Sequence, residues 1–264
     1  MQVGISTASL FGRFNTEDAL KFLSENGVPC AEVFLESYCE YNLEFAKLLN
    51  SVNKNTKIHS VHTLTTQFEP QLYSINERAQ KDSFALLDMT MSSAKEFGAK
   101  CYTFHGGARF KKTPFSINYD RVGDITQRII DVCEKHNICL AYENVHWGYY
   151  NYLGFFNEIR KRTVGLKATL DIKQARQSGV AVEDLIKEMG SDIVTVHLSD
   201  VKEDGKMALP GKGITDFNLL FKRLKDVGFD GALMLEVYKD DYSNFDQLFG
   251  SLEYVKNQAE KVFG

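Results

Sequence analysis

Six apolar runs in succession stop on a residue type that binds metal ions. Residues 58–62 end on His62, 101–105 on His105, 139–143 on Glu143, 166–171 on Asp171, 193–197 on His197 and 232–236 on Glu236. One strand-ending His or Glu is ordinarily just a polar side chain where a strand reaches water. Six in a row is not what independent accidents produce at these residue frequencies. Glu143, Asp171, His197 and Glu236 together offer one imidazole and three carboxylates, a donor set suited to a hard or borderline divalent ion such as Mn²⁺, Mg²⁺, Co²⁺ or Zn²⁺. Without a cation the carboxylates would repel one another, so their pKa values are expected to rise in the metal-free protein. His62 and His105 are candidates for a second ion or for a substrate oxygen.

Ligands spread this widely converge only if the strands that carry them share a rim, and a parallel barrel provides one at the C-terminal ends of its strands. Strand-like runs at 2–7, 30–35, 58–62, 101–105, 138–143, 166–171, 193–197 and 232–237 are each followed by a helical segment. Phe84, Leu87, Met91, Ala94 and Phe97 follow the three-and-four spacing of one buried helix face, as do Val122, Ile125, Ile129 and Val132. The last helix repeats it with Phe245, Leu248, Leu252, Val255, Ala259 and Val262. Thr16 reads as the N-cap of the first helix, and Gly27 and Gly98 as the glycines that close the first and third. Eight strand–helix repeats favour an α/β fold, a single (β/α)8 TIM barrel, with residues 1–264 as one domain. No glycine-rich loop follows the first strand, which disfavours an open dinucleotide-binding sheet. The longest connections, 63–75 and 106–118, both follow strand ends, where barrels grow loops over a substrate.

Composition narrows the partners. At 264 residues, 44% hydrophobic and 25% charged, the chain reads as an ordinary globular protein. A net charge of -4 gives no broad basic face, so nucleic acid is disfavoured. No apolar run approaches the roughly 20 residues of a membrane helix, and residues 1–7 are strand-like rather than an export leader. A cytoplasmic protein without a membrane partner is expected, acting on a small molecule; a homo-oligomer stays open. Of the five cysteines, Cys30, Cys101 and Cys139 open strands and Cys133 lies on a helix face, which fits reduced, buried thiols better than disulfides.

The segments YENVH with Glu143, TLDIKQA with Asp171, VHLSD with His197, LPGKGITDF at 209–217 and LMLEVY with Glu236 carry a resemblance across nearly the whole chain. In this order and spacing the chain resembles the xylose isomerase-like barrel superfamily, which includes sugar isomerases and epimerases, inosose isomerases and dehydratases, and endonuclease IV. The resemblance implies one divalent ion held by Glu143, Asp171, His197 and Glu236, and His62 and His105 match the first-zinc ligands of endonuclease IV. It implies a sugar or cyclitol hydroxy-ketone as substrate and proton transfer through a metal-stabilised enediolate. Similarity to ketose 3-epimerases assigns the acid and base to Glu143 and Glu236. A dehydratase acting on an inosose or related keto-polyol is the nearest alternative, and an abasic-site DNA nuclease the alternative from another class.

Departures from the pattern weigh among these. The third zinc of endonuclease IV-like enzymes needs a histidine three residues after the strand-six aspartate, and an aspartate and a histidine before the glycine turn. This chain has Gln174, Gly205 and Met207 there. Tyr149 and Glu203 replace a glutamate and an arginine of the ketose epimerases, leaving an inosose or a keto acid as open as a free ketose. His146, Trp147, Tyr149 and Tyr150 form an aromatic run able to stack on a sugar ring. Gln174, Arg109, Lys111, Lys112 and Lys212 are further candidates for substrate contact, and His136 reads as a structural helix-end histidine.

Overall fold

The computed structural model describes residues 1–109 and 116–264. Eight parallel strands close into a barrel: β1 (Gln2–Ser6), β2 (Cys30–Leu35), β3 (Lys57–Thr63), β4 (Cys101–Phe104), β5 (Cys139–Glu143), β6 (Lys167–Asp171), β7 (Ile193–Leu198) and β8 (Ala232–Leu235). Each strand pairs with its sequence neighbours, and β8 returns to β1 through Gln2↔Ala232 and Ile5↔Leu235. The principal helices are α1 (Thr16–Glu25), α2 (Leu43–Val52), α3 (Glu77–Glu96), α4 (Tyr119–Lys135), α5 (Phe155–Arg160), α6 (Val182–Met189), α7 (Phe217–Asp226) and α8 (Phe245–Phe263). The eightfold strand–helix reading of the sequence is the architecture found. No helix among the described residues is long and apolar enough to cross a membrane.

Successive side chains of a strand point to opposite faces of the sheet, and here the two faces differ in chemistry. Val61, Tyr102, Leu140, Leu170 and Val196 belong to the continuous apolar layer that also holds Leu87, Met91, Ile129 and Leu252 of the helices. Burial of such side chains contributes about 1.5–3 kcal/mol each. The other face holds Ser6, Glu32, Ser60, Thr103, Thr169 and Thr195, all fully buried. A barrel centre of this kind is ordinarily filled by branched apolar residues; this one is polar, and its hydroxyls need internal partners.

Helix ends follow the sequence signals with one exception. Gly27 and Gly98 have φ of 71° and 90°, as left-handed closing residues do. Asn15, not Thr16, is the N-cap of α1, and it makes no side-chain cap bond. Thr16 is instead the first helical residue, and its hydroxyl donates to Phe34 O and Glu40 Oε2 at 3.1 and 3.2 Å, tying the helix to the end of β2. His136 caps α4 as a structural histidine; its Nε2 also lies 2.8 Å from Asp88 of α3. The five cysteines are free: Cys30, Cys101 and Cys133 are buried, Cys139 is half-buried and Cys39 is exposed.

Candidate metal centre

Strand register delivers the four candidate ligands to one place. Asp171 pairs with His197 across β6 and β7, Glu143 ends β5, and the Glu236 amide donates to Leu198 O at 3.0 Å just past β8. One ligand atom from each of Glu143, Asp171, His197 and Glu236 lies within 4.8 Å of the others. His197 Nδ1 is 3.0 Å from Glu143 Oε1, 3.2 Å from Glu236 Oε2 and 3.9 Å from Asp171 Oδ2. Glu143 Oε2 and Glu236 Oε2 are buried without a hydrogen-bond partner among the described residues. Buried carboxylate oxygens without donors carry a large desolvation cost, and a divalent cation is the group that this donor set fits.

Glu143 also faces the other way. Its Oε2 is 3.4 Å from His105 Nε2 and 4.0 Å from His62 Nε2, and these three residues form a second ligand cluster. Both histidines are held by their remaining nitrogen. His62 Nδ1 sits 2.9 Å from Thr103 O, which accepts its proton. His105 Nδ1 lies 3.1 Å from Glu69 Oε2, and the same carboxylate accepts the His105 amide at 3.1 Å. Both rings thereby present Nε2 to Glu143, an outer hydrogen bond fixing the tautomer that an ion would need. Gly106 turns the chain straight after His105; its φ is 79°, and a Cβ there would fall 1.9 Å from the Tyr142 hydroxyl, so glycine is required.

The expected rise in carboxyl pKa holds for one ligand and fails for another. Burial, reinforced by Glu143 and Glu236 and opposed by Lys173, raises Asp171 to about 6. Burial also favours the neutral form of Glu143, but His197, His105 and His62 overturn that and hold it at about 2. His197 mirrors this: burial opposes its charge, and Glu236, Glu32 and Glu143 push it well above the ordinary histidine range. The carboxylates thus favour the charged imidazole, and the imidazole in turn favours the charged form of Glu143. Lys173 behaves alike, since burial opposes its charge while Asp171 and Glu236 raise its pKa above the ordinary lysine range.

Three contributors were missed in sequence. Glu32 on β2 is fully buried, accepts from Ser6, Ser60 and Thr103 at 3.0, 2.7 and 2.7 Å, and lies 3.1 Å from His197 Nε2. Glu69 supports His105 and also accepts from Thr63 at 3.0 Å. Asp200 accepts the amides of Val201, Gly211, Gly213 and Thr215, so the glycine turn is wrapped around a carboxylate. The only sequence signal for Glu32 and Asp200 was an acidic residue inside or beside an otherwise apolar strand, and Glu69, in the helical turn Glu69–Leu72 after β3, had none.

The remaining sequence candidates separate. Gln174 accepts from the His146 amide at 3.2 Å and has His146 Nδ1 at 2.6 Å, so it ties the loop after β5 to the turn after β6. Trp147 packs on His105 with ring centroids 5.1 Å apart and lines a cavity of about 320 Å³ with Leu64, Thr65, Pro70, Ala108 and Arg109. Arg109 donates to Asn151 at 3.2 Å. Tyr150 is fully buried against Phe155 and Phe156, part of the packing and not of a ring-stacking surface. Lys212 is exposed, and its turn is held by backbone contacts to Asp200. Lys111 and Lys112 lie outside the described residues.

A family model described as xylose isomerase-like TIM barrel matches residues 20–258. No curated protein matches the chain in sequence. Among solved structures, a D-tagatose 3-epimerase-like protein superposes with a TM-score of 0.80 at 19% identity, covering 99% of this chain and 98% of its own. The IOLI protein, solved with a binding zinc atom, gives 0.75 at 17% identity over 99% and 98%. A probable 3-DHS dehydratase, AsbF of Bacillus anthracis, gives 0.72 at 16% identity over 97% and 99%.

Proposed function

Because the chain belongs to the xylose isomerase-like TIM barrel family, we propose that it is a divalent-metal-dependent isomerase or epimerase of a sugar or cyclitol hydroxy-ketone. The observation that carries this reading is the convergence of Glu143, Asp171, His197 and Glu236 within 4.8 Å at the strand ends. These four residues would hold the ion, and Glu143, His62 and His105 would hold a second. A bound divalent ion polarises a substrate carbonyl and stabilises the enediolate that follows loss of the α-proton.

The chain's own residues supply the proton traffic. Proton transfer at the carbon beside a carbonyl needs a base on one face and an acid on the other, each contributing about 10²–10⁴-fold. Glu143 and Glu236 leave β5 and β8, separated around the rim by β6 and β7, which suits them to opposite faces of one carbon. Glu236 is the more accessible, with a side chain 13% exposed against 2% for Glu143, so it takes the proton that must reach solvent. Trp147, packed on His105, offers an apolar face to the C–H side of a ring. The nuclease alternative has less support: only two ligand clusters occur among the described residues, and Gln174, where a third would need histidine, is engaged with His146.

The test is incubation of the metal-loaded protein in D₂O with ketoses, inososes and keto acids. Deuterium entering α to the carbonyl without loss of water identifies an isomerase or epimerase, whereas loss of water identifies the dehydratase alternative. Glu236→Gln is expected to lower exchange by about 10²-fold or more with the circular dichroism unchanged. Full exchange in that variant removes Glu236 from the acid–base pair.

A further inference from the structure

Beyond the ligands, one cation belongs to this centre. Lys173, two residues after Asp171 in the short helix Ile172–Gln177, is 2% exposed. Its Nζ lies 3.8 Å from Asp171 Oδ2 and 3.8 Å from Glu236 Oε1, beyond hydrogen-bond reach of either. The ring of Tyr238 covers it at 4.3 Å. A buried ammonium has three protons to place, and this one makes no hydrogen bond among the described residues. Two acidic neighbours attract the charge without satisfying the donors. The position therefore leaves its donors free for an acceptor that arrives with a ligand.

Charge gives the same answer by another route. With an ion in the four-residue cluster alone, Glu143, Asp171 and Glu236 bring three negative charges, one more than a divalent ion cancels. Lys173 brings a positive charge that moves the centre toward neutrality. Glu32 adds a further negative charge behind His197, 3.1 Å from its Nε2, which makes a cation beside the ligands more necessary still. A neutral centre can accept a substrate oxygen on which negative charge grows, whereas a net negative one opposes it.

We propose that Lys173 is a further catalytic residue, whose ammonium donates a hydrogen bond to the substrate oxygen that becomes anionic when the α-proton leaves. The inference rests on the isomerase reading above and deepens it. The substrate class it selects is one whose reacting carbonyl or adjoining hydroxyl sits between the ion's place and the β6 rim. Lys173 keeps its proton throughout; the base carries the α-proton. The same positive charge sits beside two of the ion's ligands, so it weakens metal binding while it favours turnover. A lysine that merely props up the ligands would strengthen metal binding, and its loss would weaken binding and turnover together.

That opposition of signs is the test. Mn²⁺ and Zn²⁺ affinity is measured by titration calorimetry, and α-deuterium exchange is followed in parallel, for wild type, Lys173→Met and Lys173→Arg. Lys173→Met is expected to bind the metal about tenfold more tightly, because a unit charge beside the ligands is gone, and to exchange roughly 10²- to 10³-fold more slowly. Lys173→Arg, which keeps the charge, is expected to hold near-native metal affinity with an intermediate rate. Should Lys173→Met fail to fold, Lys173→Gln carries the same expectations. Metal binding that is unchanged or weaker in the neutral variant, or exchange that persists, overturns the proposal. A wild type silent toward every substrate, with the neutral variant still binding metal more tightly, counts against the isomerase reading and leaves the charge relation of Lys173 standing.

Discussion

Glu32 is an acidic side chain with no exposure, at the centre of a barrel, and it persists because every oxygen is spoken for by Ser6, Ser60, Thr103 and the facing His197. Burial favours its neutral form, but His197, His62 and Thr103 hold its pKa well below the usual carboxylate range. Its effect on His197 is electrostatic: Glu32 lies 3.1 Å from Nε2, which has no hydrogen-bond partner among the described residues, while Nδ1 faces Glu143, Asp171 and Glu236. Outer carboxylates of this kind raise the basicity of a ligating imidazole, and their loss costs about 10- to 100-fold in metal affinity. Glu32→Gln keeps the shape and an acceptor but loses the charge. Zn²⁺ affinity is expected to fall by about tenfold, with thermal unfolding of the metal-free protein little changed. Equal affinity in the variant would reduce Glu32 to a structural hydrogen-bond hub. The six strand-ending ligand types were legible in sequence because each closes an apolar run. Glu32 and Lys173 were not, since Glu32 interrupts a run that reads as core and Lys173 sits in a short helix after β6 where lysine is ordinarily solvated.

At the scale of elements, rim geometry is set by small anchored connections. Asp200 gathers the turn after β7 by accepting four amides. The turn closes so tightly that a Cβ on Gly213 would lie 2.2 Å from Val201 O. The glycines of that turn were readable, while the carboxylate that organises them, eleven residues before Gly211, was not, because side chain–backbone anchoring leaves no periodic trace. The connection from β2 to α2 is built likewise: Glu40 accepts the Glu36 amide at 2.6 Å and the Thr16 hydroxyl at 3.2 Å. Burial first, then Glu40 and Glu17, raises the Glu36 carboxyl to about 7. The folded chain thus holds a proton that the unfolded chain, with a carboxyl near 4.5, has released. The stabilisation from Glu36 is complete below pH 4.5 and is lost as pH rises to about 7. Melting temperature measured from pH 5 to 8 is expected to decline, and Glu36→Gln to flatten the decline. An identical slope in the variant assigns the pH dependence to other groups.

For the whole molecule, the barrel and its single rim followed from strand–helix alternation, because periodicity reports which faces are buried. What the pattern could not report was the chemistry of the barrel's centre. Ser, Thr, His and Glu alternating with apolar residues read equally as strands with one solvated face, and short strands give too few positions to tell a polar centre from a wet surface. A polar, acidic interior makes metal binding a matter of global stability. An ion bound only by the folded state adds RT ln(1 + [M]/Kd), about 2.7 kcal/mol at a hundredfold excess over Kd. For a chain of this size each kcal/mol moves the melting temperature by about 2–4 °C, so saturating Mn²⁺ or Zn²⁺ is expected to raise it by about 5–10 °C. Chelation should reverse the rise, and Asp171→Asn, which removes a charged donor while keeping its shape, should diminish it. The shift should grow as pH rises through about 6, where Asp171 loses its proton in the metal-free chain and the ligands repel one another most. A melting temperature indifferent to metal at every pH would mean that the converging carboxylates answer to Lys173 and protonated His197 alone.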